Sequence, residues 1–113
     1  GPCAIGLVQL IREKHPEIPL VVMSPIYSPP RETARMTDLS LTLEEMRVIL
    51  ADVVDACRQY GDRNIHYMDG LALFGPAERA YLPDQLHPND AGQPVMAAHF
   101  IRNLTSLVGE TIR

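Results

Sequence analysis

The feature that most constrains this chain is that it offers two runs of strand length, set among three helical patterns, and no third. The first, Ile18 to Ser24, reads Ile-Pro-Leu-Val-Val-Met-Ser. It is continuous and rich in β-branched residues rather than alternating, as expected of a strand covered on both faces. The second is Asn64 to Asp69. Before the first run, Ala4, Leu7, Val8 and Ile11 recur at helical spacing from Cys3 to Lys14, with Arg12, Glu13 and Lys14 on the polar side. Pro16 ends that helix, because proline cannot donate the helical bond and its predecessor avoids the helical region. Thr42-Leu43-Glu44-Glu45 is a capping box. From it Leu43, Met46, Leu50, Val53, Cys57 and Tyr60 run down one face until Gly61 supplies a stop. Pro88-Asn89-Asp90 is expected to open a last helix, in which Met96, Phe100, Ile101, Leu104 and Leu107 recur before Gly109.

The order helix, strand, helix, strand, helix implies right-handed crossovers, parallel strands and an α/β layer fold. A two-stranded sheet is marginal on its own, and the flanking helices would show apolar stripes with nothing to bury them. Residues 1–113 are therefore expected to form a single but partial domain. The chain is expected not to be a stable monomer, and either to form a homo-oligomer or to associate with a missing amino-terminal half. The Gly-Pro start, without Met, is expected to be a cleavage scar or a mid-protein sequence. Fourteen acidic against ten basic residues give a net charge of −4 with no basic block, which argues against nucleic acid as a partner. The longest apolar run, broken by Pro19, falls far short of the ~20 residues needed to cross a bilayer. Two cysteines, Cys3 and Cys57, are too few for a disulfide scaffold, so the default compartment is reducing and cytoplasmic.

The most specific chemical signal is Asp84-Gln85-Leu86-His87-Pro88-Asn89-Asp90-Ala91-Gly92, which follows the second strand. In an α/β sheet, ligands bind beyond the carboxyl ends of the strands, where this segment must lie. A carboxylate one turn before a histidine can accept the imidazole Nδ1 proton, fix the tautomer and leave Nε2 as a general base. A helix starting just after His87 would add its positive end and favour the neutral ring. On spacing alone, Asp84 as a turn cap and His87 as a plain surface residue remains an equal alternative.

Leu82-Pro83-Asp84-Gln85-Leu86-His87-Pro88-Asn89 with Gly92 resembles the last block, Asp-x-x-His-Pro, of the SGNH or GDSL-type serine hydrolases. Pro19 to Ile26 resembles that family's fourth strand and loop, and Ile65 to Gly70 its fifth strand. The resemblance implies the carboxyl-terminal part of a flavodoxin-like three-layer α/β/α fold. It also implies that Asp84 and His87 belong to a Ser-His-Asp triad for ester hydrolysis or acyl transfer, acting on a small acyl ester without metal or organic cofactor. The family's Gly-Asp-Ser, glycine and Gly-x-Asn-Asp blocks have no counterpart here. The nucleophile and oxyanion donors are then expected from outside this chain, which alone should be inactive, since a triad works as a unit. The alternative is a non-catalytic half-domain serving as an association module.

Lesser candidates carry their own expectations. Ser24, Tyr27 and Ser28 are expected as pocket wall, along with loops 25–38 and 70–83 more broadly. Ser24 and Ser28 lie at the right sheet edge for nucleophiles but lack an elbow such as Gly-x-Ser-x-Gly. His66 and Asp69 are expected on opposite faces of a strand, which disfavours a metal site with Asp84 and His87. Arg31 and Glu32 read as a solvated loop ion pair, His99 as a solvent-facing residue, and Met23, Met46, Met68 and Met96 as core fillers.

Overall fold

The computed structural model describes residues 2–109. The expected order is present, with helix α1 at Pro2–Lys14, strand β1 at Leu20–Met23 and helix α2 at Leu43–Gln59. Strand β2 at Ile65–Met68, a single turn α3 at Gly70–Leu73 and helix α4 at Gly92–Val108 complete it. Short 3₁₀ turns occupy Pro29–Arg31 and Pro76–Tyr81. β1 and β2 pair in parallel, with Leu20 opposite Ile65 and Met23 opposite Met68. Both strands are shorter than the apolar runs suggested, because the flanking residues Ile18 and Asp69 lie outside the paired ladder.

Ile65 is fully buried against Val8 of α1 and Val54 of α2, with Leu20, Val22, Cys57 and Tyr67 packed around them. Met23 shares a groove with Leu73 and with Met96, Ala97 and Phe100 of α4. Helices thus lie to either side of the strand pair. Met68, Leu73, Phe74 and Leu82 are buried as well, and α4 packs against α3 and β2.

α2 is built as its sequence dictates. Thr42 Oγ1 accepts the Glu45 N–H at 3.1 Å, and Glu45 Oε1 accepts the Thr42 N–H at 2.9 Å. Gly61 follows with φ +104°, a conformation glycine adopts at little cost. Tyr60 is the exception, lying 93% exposed at the end of the helix rather than on its buried face.

Three expectations are corrected. α4 starts at Gly92 rather than at Pro88, because Asn89 donates its N–H to the Tyr81 carbonyl and its Oδ1 accepts the Gly92 N–H, capping the helix from outside. Met23 is half exposed rather than a core filler, since no described residue covers the groove it lines. Leu7 and Ile101, assigned to apolar stripes, are also exposed.

Arg12, read as a polar-face residue, is instead a clamp. Its guanidinium pairs with Asp62 at 2.7 Å and donates to the carbonyls of His15, Ile18 and Asn64, fixing the end of α1 against the starts of both strands. No described helix is long and apolar enough to cross a membrane.

Candidate active site

β2 ends at Met68, and the chain beyond it passes through α3 and the Pro76–Tyr81 turn to reach the Asp84–His87 segment. Gly70 makes this exit possible. A Cβ there would stand 2.0 Å from the Pro25 carbonyl oxygen and 2.4 Å from that of Ser24, so only glycine lets the two post-strand segments touch. Asp69 accepts the Leu71 N–H and starts α3, while the Ser24 hydroxyl accepts the Gly70 N–H at 2.9 Å and the Tyr67 hydroxyl proton at 2.8 Å.

Within the segment, Asp84 Oδ1 accepts the backbone N–H groups of Leu86 at 2.9 Å and His87 at 2.7 Å. Its Oδ2 lies 2.6 Å from His87 Nδ1. The backbone bond from His87, the side-chain bond from His87 and the bond from Leu86, in that order of weight, hold the Asp84 carboxyl far below the usual carboxylate range. An ionised Asp84 facing Nδ1 selects the tautomer protonated there, and Nε2 has no partner among the described residues. Both side chains are open to solvent, His87 at 73% and Asp84 at 51%. The structure therefore brings these two residues together, with Nδ1 of the ring on the carboxylate. The helix-end field expected at His87 is displaced, because α4 begins five residues later and that field fades within a turn.

The segment is anchored from the other strand. Gln85 adopts φ +63°, the one positive φ among described non-glycine residues, and its carbonyl accepts the Ser28 hydroxyl at 2.7 Å. The Ser28 N–H donates to Glu32 Oε2. Glu32 in turn is gripped by Arg47 of α2 at 2.5 and 2.9 Å, and Arg47 also donates to the carbonyls of Pro25 and Ile26. Burial raises the Glu32 carboxyl, but the bond from Arg47, the Ser28 amide and the Arg47 charge together outweigh it and leave Glu32 below its ordinary value. The expected Arg31–Glu32 loop pair is thus replaced by a buried pair with a helix residue, which local sequence could not reveal.

Ser24 and Ser28 are 3% and 2% exposed, with their hydroxyls engaged inside the protein, and Tyr27 is half-buried, donating its N–H to Phe74. Open depressions lie elsewhere, among them about 450 Å³ beside Glu44, Glu45, Val48 and Ile49, about 370 Å³ beside Arg12 and Asp62, and about 320 Å³ at the Met23 groove. His66 accepts from Arg58 at Nδ1 and donates to Asn64 from Nε2, apart from Asp84 and His87. His99, expected to face solvent, instead donates its Nδ1 proton to the Leu73 carbonyl at 2.8 Å and fastens α3 to α4. No three His, Cys, Asp or Glu residues cluster as metal ligands among the described residues.

No family model matches this chain, and no curated protein matches it. Among solved structures it is similar to SsfX3, a salicylyl-acyltransferase from a tetracycline biosynthetic pathway, at 34% identity and a TM-score of 0.82. That match takes in 97% of this chain and 32% of the acyltransferase, so the chain spans about a third of the protein it resembles, and what it shares with it is a partial α/β architecture of acyltransferase kind.

Proposed function

We propose that this chain carries the proton-handling half of a serine acyltransferase or esterase centre of the SGNH or GDSL type. Asp84 orients His87, and His87 Nε2 removes the proton of a serine supplied by polypeptide outside these residues, then returns it to the leaving group. The observation that carries this reading is the 2.6 Å approach of Asp84 Oδ2 to His87 Nδ1 with Nε2 left open. The similarity to a salicylyl-acyltransferase supports an acyl group as the transferred unit, from a small acyl ester to an acceptor alcohol or water. The fold of the complete centre is then the three-layer α/β/α arrangement, of which this chain is the carboxyl-terminal part. No step in this chemistry requires a metal or an organic cofactor.

The chain alone turns over no ester under this reading. Fluorophosphonate labelling tests it, applied to the 113-residue chain and to a longer polypeptide bearing an amino-terminal Gly-Asp-Ser region. Labelling confined to the longer polypeptide and lost with His87→Gln supports the proposal. Labelling of the short chain, or labelling indifferent to His87, contradicts it.

A second reading, an association module without catalysis, draws on the exposed apolar residues Leu7, Leu10, Met23 and Ile101 and on a sheet of only two strands. It predicts no labelling in either polypeptide.

A further inference from the structure

We propose that Ser28 is the positioning residue of the Asp84–His87 pair, acting through the peptide between Gln85 and Leu86. The inference rests on the acyl-transfer reading only for its functional meaning, since the geometry is independent of it. A trans peptide unit is planar, and its C=O and N–H point in opposite directions. On one side of this unit the Gln85 carbonyl accepts the Ser28 hydroxyl at 2.7 Å. On the other, the Leu86 N–H donates to Asp84 Oδ1 at 2.9 Å. Rotating the plane breaks both bonds at once.

Gln85 stands at φ +63°, an uncommon region for a residue with a side chain, so the shape of this turn depends on the contacts that hold it. Asp84 and His87 are both open to solvent rather than packed into the interior. Ser28 is the reverse case, being 2% exposed and fixed through its N–H by Glu32, which Arg47 grips from α2. Ser28 lies 57 positions from Gln85 and transmits the rigidity of the interior to an exposed catalytic turn. The same geometry explains why Ser28 does not serve as nucleophile, because its proton is already committed to a carbonyl.

The test is NMR on the 113-residue chain, comparing wild type with Ser28→Ala and with Ser28→Cys, which keeps the shape but donates weakly. Two signals are followed: the protonation pattern of the two His87 ring nitrogens, and amide exchange at Leu86. Ser28→Ala is expected to accelerate Leu86 exchange about tenfold, the order of one lost hydrogen bond, and to abolish the preference for a proton on Nδ1. Exchange at Ile65 and Val54 in the core should not change. Ser28→Cys is expected to fall between, and it decides the matter alone if Ser28→Ala does not fold.

Unaltered His87 and Leu86 signals in the variants would overturn the proposal. So would loosening of Ile65 and Val54 to the same degree, which marks a general stabilising role instead. Failure of the acyl-transfer reading looks different: His87→Gln leaves the longer polypeptide's labelling intact while the NMR signals still respond to Ser28.

Discussion

Asp84 holds His87 twice, accepting its backbone N–H at 2.7 Å with one carboxylate oxygen and facing its Nδ1 at 2.6 Å with the other. The carboxylate therefore sets both the position of the histidine backbone and the tautomer of its ring. Four consecutive residues of local sequence supply both groups.

Replacing Asp84 with Asn keeps the size of the side chain but removes its charge. The amide oxygen can still accept both backbone N–H groups that Oδ1 accepts, but the amide NH₂ then faces Nδ1 and no longer selects the Nδ1-protonated ring. In the longer polypeptide kcat is expected to fall by about 10³ to 10⁴, the size of effect a wrong histidine tautomer produces in triad enzymes. Steady-state ester hydrolysis measures this, and a loss of less than about tenfold would separate Asp84 from the chemistry.

Glu32→Gln leaves the Arg47 guanidinium, 7% exposed, without its counter-charge. Loss of one partner from a buried pair costs about 3–5 kcal/mol, a drop that urea denaturation would read directly. The pH dependence follows in sign. Because the folded carboxyl of Glu32 sits below its ordinary value, the pair's contribution is complete above the unfolded value, about 4.3, and is lost as pH falls through the lower folded one. The stability gap between wild type and Glu32→Gln should accordingly close under acid conditions.

Gly70→Ala places a methyl group 2.0 Å from the Pro25 carbonyl oxygen, a backbone atom that cannot swing aside. We expect a loss of more than about 3 kcal/mol or failure to fold, since the two post-strand segments must separate. Gly6→Ala, with nothing within 4 Å, is the control and should be neutral or slightly stabilising in the middle of α1.

Thr42→Ala removes the hydroxyl that accepts the Glu45 N–H and should cost about 1 kcal/mol by thermal denaturation. Thr42→Ser keeps the bond and should recover most of that loss.

Beyond the order of helices and strands and their parallel pairing, the details legible in the sequence are those decided within one turn of chain. The Thr42–Glu45 box, the stop at Gly61 and the Asp84–His87 pair each join residues a few positions apart, and each is present as the pattern implies. The start of α4 was misplaced because Pro88-Asn89-Asp90 looks like a helix opening, while the Tyr81 carbonyl, beyond any local pattern, draws Asn89 out of the helix. Arg47 with Glu32, Ser28 with Gln85, and His99 with Leu73 were invisible for the same reason, being 15, 57 and 26 positions apart. Polar residues with several plausible solvated states gave no signal until the fold set them face to face.

The most direct measurement is the kcat of His87→Ala in the longer polypeptide, with and without added imidazole. Since His87 is 73% exposed, a free imidazole can reach the place its ring leaves. A fall of about 10³-fold or more is expected, with partial, saturable recovery as imidazole is added. A kcat equal to that of the wild type would contradict a proton-transfer role for His87.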